Sequence, residues 1–152
     1  MKKKKSYLLV VDASVAFAAG YSTNPDSSRC RDLLDSILSI CHRIIMSPPL
    51  SLEWKNNANR YALRWITTMV AMKKVVFIGG HSFHISIEKA KVLTDRERAA
   101  IEKDKHLVEL AIEGNGIIYT LDDTAIEIWG KCRKQIHTPK EITWKNPTRE
   151  PI

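Results

Sequence analysis

Four carboxylates stand out by position. Asp12 ends the apolar run Tyr7-Leu8-Leu9-Val10-Val11 and is followed by Ala13-Ser14. An uninterrupted apolar run of that length suits an inner strand of a parallel sheet, and open parallel sheets carry their working groups just past the carboxyl ends of the strands. Asp122 repeats the pattern two residues after Ile117-Ile118-Tyr119-Thr120. Glu53 lies in the first turn of a helix that follows the second strand, on the inward side with Leu50 and Trp54. Asp104 sits within a helical stripe made of Ala100, Ile101, Leu107, Val108, Ala111 and Ile112, while Glu102, Lys103, Lys105, Glu109 and Glu113 fall on other faces.

Each position has an ordinary structural explanation. An Asp after a strand commonly caps the next helix, and an inward Asp can belong to a buried salt bridge. Their joint placement says more. Three acids follow three separate strands and a fourth points inward from a packed helix, so all four are expected at one end of the sheet. Bare carboxylates repel one another, and all-oxygen donors select Mg²⁺ or Mn²⁺. Asp123, beside Asp122, is either a cap or a further ligand. Such a site suits phosphoryl chemistry, in which metal activates water and clamps phosphate oxygens.

The elements that must hold these groups alternate. After the first strand, Ala13–Ala19 is a short helical segment, and Asn24-Pro25-Asp26 reads as a loop. Asp26 or Ser27 then caps a helix with Cys30, Leu33, Leu34, Ile37, Leu38 and Cys41 on its buried face. Ile44-Ile45-Met46 is a second strand. A helix beginning near Leu50 continues through Met72, and its wide apolar arc of Leu63, Trp65, Ile66, Met69, Val70 and Met72 buries against the core or against another chain. Val75–Ile78 is a third strand. His81 and His84, with no Cys or carboxylate neighbour in sequence, read as loop residues. Thr94-Asp95-Arg96-Glu97 has capping-box spacing and opens the longest helix, which Asn115-Gly116 ends. Asp122-Asp123 opens the last helix, and Glu141–Trp144 is a final strand. This succession predicts an α/β fold, a three-layer α/β/α sandwich with a mostly parallel central sheet.

At 152 residues the chain is expected to form one domain over 1–152, with a basic tail at 1–6 and a C-terminal tail at 145–152. No stretch is apolar for long enough to cross a bilayer, and the apolar run after Lys2–Lys5 stops too soon for a secretory signal. An intracellular, cytoplasmic protein is therefore expected. Three cysteines, Cys30, Cys41 and Cys132, lack zinc-site spacing, and their odd number argues against a disulfide framework. The net charge of +7 favours a polyanionic partner, RNA or DNA being the commonest.

Val10-Val11-Asp12-Ala13-Ser14, the isolated Glu53, the helical Asp104-Lys105-His106-Leu107-Val108-Glu109-Leu110-Ala111 and Thr120-Leu121-Asp122-Asp123 together resemble the four acidic motifs of PIN-domain ribonucleases, in their order, over about residues 7–145. The resemblance implies Asp12, Glu53, Asp104 and Asp122 as catalytic metal ligands, with Ser14 and Thr120 supporting the cluster. It implies a Mg²⁺- or Mn²⁺-dependent endoribonuclease, often a homodimer. Stand-alone members of this length look like VapC-type toxins held inactive by a small antitoxin. Residues 79–94, a part the family varies, match it poorly, and no role transfers there.

The expected activity is hydrolysis of RNA phosphodiesters by metal-activated water, as the toxin of a VapBC-type pair or as a stand-alone RNA-processing nuclease. Lys55, Arg60 and Lys105 are candidates for positioning phosphates. The reading from another class is an RNA-binding module whose acids are structural ion pairs. A phosphatase of haloacid-dehalogenase type ranks below both, because Ser14 stands where that chemistry wants a second Asp.

Overall fold

A computed structural model describes residues 5–80 and 83–149. Lys2–Lys4 of the basic run, His81 and the last three residues of the C-terminal tail lie outside them. Five strands, β1 (Leu8–Val11), β2 (Arg43–Met46), β3 (Val75–Phe77), β4 (Ile117–Tyr119) and β5 (Thr143–Lys145), form one sheet in the order β3-β2-β1-β4-β5. Every pairing is parallel. The helices are α1 (Ala13–Ala18), α2 (Pro25–Ser39), α3 (Pro48–Asn57), α4 (Arg60–Ala71), α5 (Asp95–Glu113) and α6 (Asp123–Cys132). By the right-handed crossover rule, α1 to α4 lie over one face and α5 and α6 over the other. Helix contacts agree: α1 meets α2 and α3, α2 meets α4, and α5 meets α6. The fold is the expected α/β/α sandwich, with a sheet wholly rather than mostly parallel.

The strand order reverses between β1 and β4, the place where an open α/β sheet leaves a crevice at its carboxyl edge. β1 and β2 lie inside the sheet and bury nearly every residue (Leu9, Val10, Val11, Ile44, Ile45, Met46), which is why their sequences are apolar without alternation. One continuous cluster unites these with Leu33, Leu34, Leu50, Trp65, Met69, Ile101, Leu107 and Ile118. Among the described residues no helix is long and apolar enough to cross a membrane.

Local signals set most boundaries. Thr94 and Glu97 close a full capping box at the start of α5. Gly116 has φ +76°, and its residue pair with Asn115 makes the turn into β4, Asn115 Oδ1 accepting from the Leu8 amide at 2.6 Å. Other expectations needed correction. Asn24, not Asp26 or Ser27, caps α2, because Pro25 takes the first helical position, where its missing N–H costs nothing. The long helix from Leu50 to Met72 is two helices. Ala58 is extended, and Asn59 restarts the chain by accepting the Ala62 amide at 3.0 Å. Cys41 lies past the end of α2 and is exposed, its thiol donating to the Lys5 carbonyl at 3.3 Å; only Cys30 and Cys132 are buried.

The segment after β3 holds a single 3-10 turn at Ile87–Lys89. Ile85, Ile87, Ala90 and Leu93 are buried, and the turn packs on α5. It is a strap over that helix. This explains why Glu109 is buried although the stripe pattern turned it outward. The run Leu107–Ile112 is buried throughout, so that stretch of α5 has no solvent face.

Candidate functional site

Asp12 stands immediately after β1, its amide donating to the Tyr119 carbonyl at the end of β4 at 2.9 Å. Its carboxylate is gripped by two hydroxyls: Ser14 Oγ donates to Oδ2 at 2.8 Å and Thr120 Oγ1 to the same oxygen at 2.9 Å. These hydroxyls also receive backbone donors, Leu121 N–H to Ser14 Oγ and Asp122 N–H to Thr120 Oγ1, each at 3.1 Å. The ends of β1 and β4 are thereby tied into one polar lattice. Ser14 and Thr120, the hydroxyls expected to support the cluster, both bond the Asp12 carboxylate.

Asp122 caps α6, its Oδ1 accepting from the Ala125 amide at 3.1 Å. The ordinary reading of an Asp after a strand is thus correct for Asp122, and the cap leaves Oδ2 without a hydrogen bond among the described residues. Asp12, by contrast, makes no side-chain cap bond to α1. Glu53 lies in the second turn of α3, one turn later than expected, between the buried Leu50 and Trp54. Trp54 fastens that helix to the site end of the sheet by donating Nε1–H to the Val11 carbonyl at 2.9 Å.

Asp104 joins the four electrostatically. Its carboxyl pKa is raised from 3.8 to about 7, first by burial and then by the negative charges of Asp12, Asp122 and Glu53, with Lys103 opposing weakly. Three acids from three elements therefore act on the fourth. Asp123 takes no part in this. It receives Asn146 Nδ2 at 3.0 Å and an ion pair from Arg149 at 2.7 Å, which together hold its carboxyl below the usual range. Its role is to dock the C-terminal segment against α6, not to extend the site. Of the candidate phosphate contacts, Lys105 is paired with Glu102 at 2.8 Å, while Lys55 and Arg60 are exposed.

Two histidine contacts escaped the sequence reading. His106 Nε2 lies 3.2 Å from Glu53 Oε1, linking α5 to α3. His84 Nδ1 lies 2.7 Å from Oε2 of the buried Glu109, so the loop histidine does have a carboxylate partner. Nothing in the local sequence pairs residues 25 or 53 positions apart. The one available signal was that helical periodicity broke down around Glu109.

Among the described residues no three His, Cys, Asp or Glu side chains stand as a ready-made cation cage. In kind and charge the donors nevertheless suit a hard divalent cation. They are all oxygens, Asp12 is already oriented by two hydroxyls, and the repulsion recorded at Asp104 is what positive charge at their centre would relieve. No protein-family model and no curated protein matches the chain, so the acids, their spacing and their surroundings carry its functional reading.

Proposed function

We propose that this protein is a Mg²⁺- or Mn²⁺-dependent endoribonuclease of the PIN-domain type. What supports the reading is that the charges of Asp12, Asp122 and Glu53 all raise the carboxyl pKa of the part-buried Asp104, with Asp12 and Asp122 following β1 and β4 where strand order reverses. These four residues would hold the metal. Divalent cations so held supply an activated water and charge neutralisation at phosphate oxygens. The chain's own contribution is positional. Ser14 and Thr120 aim Asp12, the α6 cap fixes Asp122, and burial keeps Asp104 facing its neighbours. The net charge of +7 supports a polyanionic substrate by drawing it in at long range.

The protein partners belong to the same reading. Leu63 and Val70 on α4, Met72 just past its end and Phe77 on β3 are exposed. Leu63 and Phe77 line an apolar recess of about 170 Å³ with Met46, Trp54 and Ile66. An exposed apolar surface of this kind suits a protein partner, a second copy or a small antitoxin. Cleavage of RNA by the purified protein should require Mg²⁺ or Mn²⁺ and vanish in Asp12→Asn and Asp104→Asn with circular dichroism unchanged. Full activity in either variant refutes the mechanism, and RNA binding without cleavage at any metal concentration would establish the binding-module reading instead. Growth arrest on expression, relieved by a neighbouring small gene product, would separate toxin from processing enzyme.

A further inference from the structure

We infer that His106 is the positioning residue for Glu53, holding the glutamate through an Nε2–H donor. The inference rests on the four-carboxylate reading for its purpose, though not for its geometry. Asp12 is aimed by two hydroxyls, Asp122 by its cap bond, and Asp104 by the packed helix around it. Glu53 has none of these. Its side chain is 42% exposed, and its carboxylate has one hydrogen-bond partner among the described residues, His106 Nε2 at 3.2 Å. A glutamate has more rotatable bonds than an aspartate, so at an exposed helix position its carboxylate wanders unless something holds it.

His106 is built for that task. Its side chain is only 15% exposed, and it comes from α5, the helix that also carries Asp104. The second ring nitrogen, Nδ1, is buried with no hydrogen-bond partner. That asymmetry decides where the proton sits. A proton on Nδ1 would bury an N–H with no acceptor and turn a lone pair toward a carboxylate oxygen. A proton on Nε2 gives Glu53 a donor and leaves only a lone pair uncovered. Nε2 is therefore the ring nitrogen that donates to Glu53. Because Asp104 and His106 share one rigid helix, the hydrogen bond also sets the distance between the α3 acid and the α5 acid, a separation no other side-chain bond to Glu53 defines. Groups that orient metal-binding side chains in this way typically change metal affinity 10–100-fold when removed.

Long-range ¹H–¹⁵N spectra of the metal-free protein should show a His106 proton on Nε2, and that resonance should move in Glu53→Gln. A proton on Nδ1 alone, or an unmoved signal, overturns the inference. Mn²⁺ affinity by calorimetry then tests its purpose in His106→Gln, which keeps an N–H near the Nε2 position, and His106→Leu, which keeps bulk alone. Gln should stay within about threefold of the parent, and Leu should bind about 10–100-fold more weakly. Equal affinity of the Leu variant and the parent overturns positioning. Should the Leu variant fail to fold, a Gln variant weakened tenfold or more overturns it equally. A parent protein that takes up no Mn²⁺ refutes the metal reading, while the metal-free spectra still decide the His106–Glu53 bond.

Discussion

Replacing Asp104 by Asn should make the metal-free protein more stable, an unusual outcome for a polar change at a partly buried site. The reason lies in the carboxyl pKa, raised from 3.8 to about 7 by burial and by Asp12, Asp122 and Glu53. Between those two pH values the folded state holds a proton that the unfolded state has released. Stability contributed by the protonated group is therefore complete below pH 4, falls as pH rises, and is lost once pH passes about 7. At 1.36 kcal/mol for each tenfold change in proton affinity, the full span is worth ~4 kcal/mol. Relaxation and partial solvation of the site reduce this, so about 2–4 kcal/mol is expected at pH 8. Asn imitates the protonated acid and escapes the loss. Urea unfolding in EDTA at a series of pH values measures the difference between variant and parent. It should be small at pH 4, grow through pH 7 and level off above. In melting temperature, the pH 8 difference is about 5–15 °C for a chain of this size. Added Mn²⁺ should then stabilise the parent more than the variant, by mass action. A variant no more stable than the parent at pH 8, or a difference independent of pH, would mean that the four acids do not share a pocket.

Thr120→Val keeps the shape of a buried residue but removes the donor to Asp12 and the acceptor for the Asp122 amide. A loss of about 1–3 kcal/mol in urea unfolding is expected, and a change below about 0.5 kcal/mol would show that the lattice between β1 and β4 is not structural. Gly116→Ala should cost at least about 2 kcal/mol, since the position has φ +76° and an added Cβ would collide with the Glu141 carbonyl. A melting temperature equal to the parent's would refute that assignment. Thiol titration of the native protein should find one fast group, the exposed Cys41. Cys30, pushed up to about 12 by burial and Asp26, and the buried Cys132 should react only in denaturant; fast reaction of more than one thiol would contradict the packing of α2 and α6.

The acids were legible because their positions follow from one-dimensional rules. A strand that is apolar throughout is buried on both faces, so Asp12, next after Val11, and Asp122, two residues after Thr120, lie at the sheet's carboxyl edge whatever the details of the fold. Asp104 was found by period alone, and Thr94 and Gly116 by the chemistry of helix ends. Period failed where burial is not one-sided. Glu109 looked outward, yet the strap carrying Ile85, Ile87 and Leu93 covers that side of α5. Local rules also missed the break at Ala58–Asn59, since the apolar pattern runs across it unchanged.

By itself, then, the sequence determined the alternation of elements, the parallel sheet and the placing of Asp12 and Asp122 after β1 and β4, because side-chain periodicity and capping act over a few residues. Tertiary structure alone decided which groups meet. Thr120 reaches Asp12 across 108 positions, His106 reaches Glu53 across 53, and Asp123 turns to Arg149 instead of joining the site. Those contacts depend on strand order and helix packing, which no local pattern encodes.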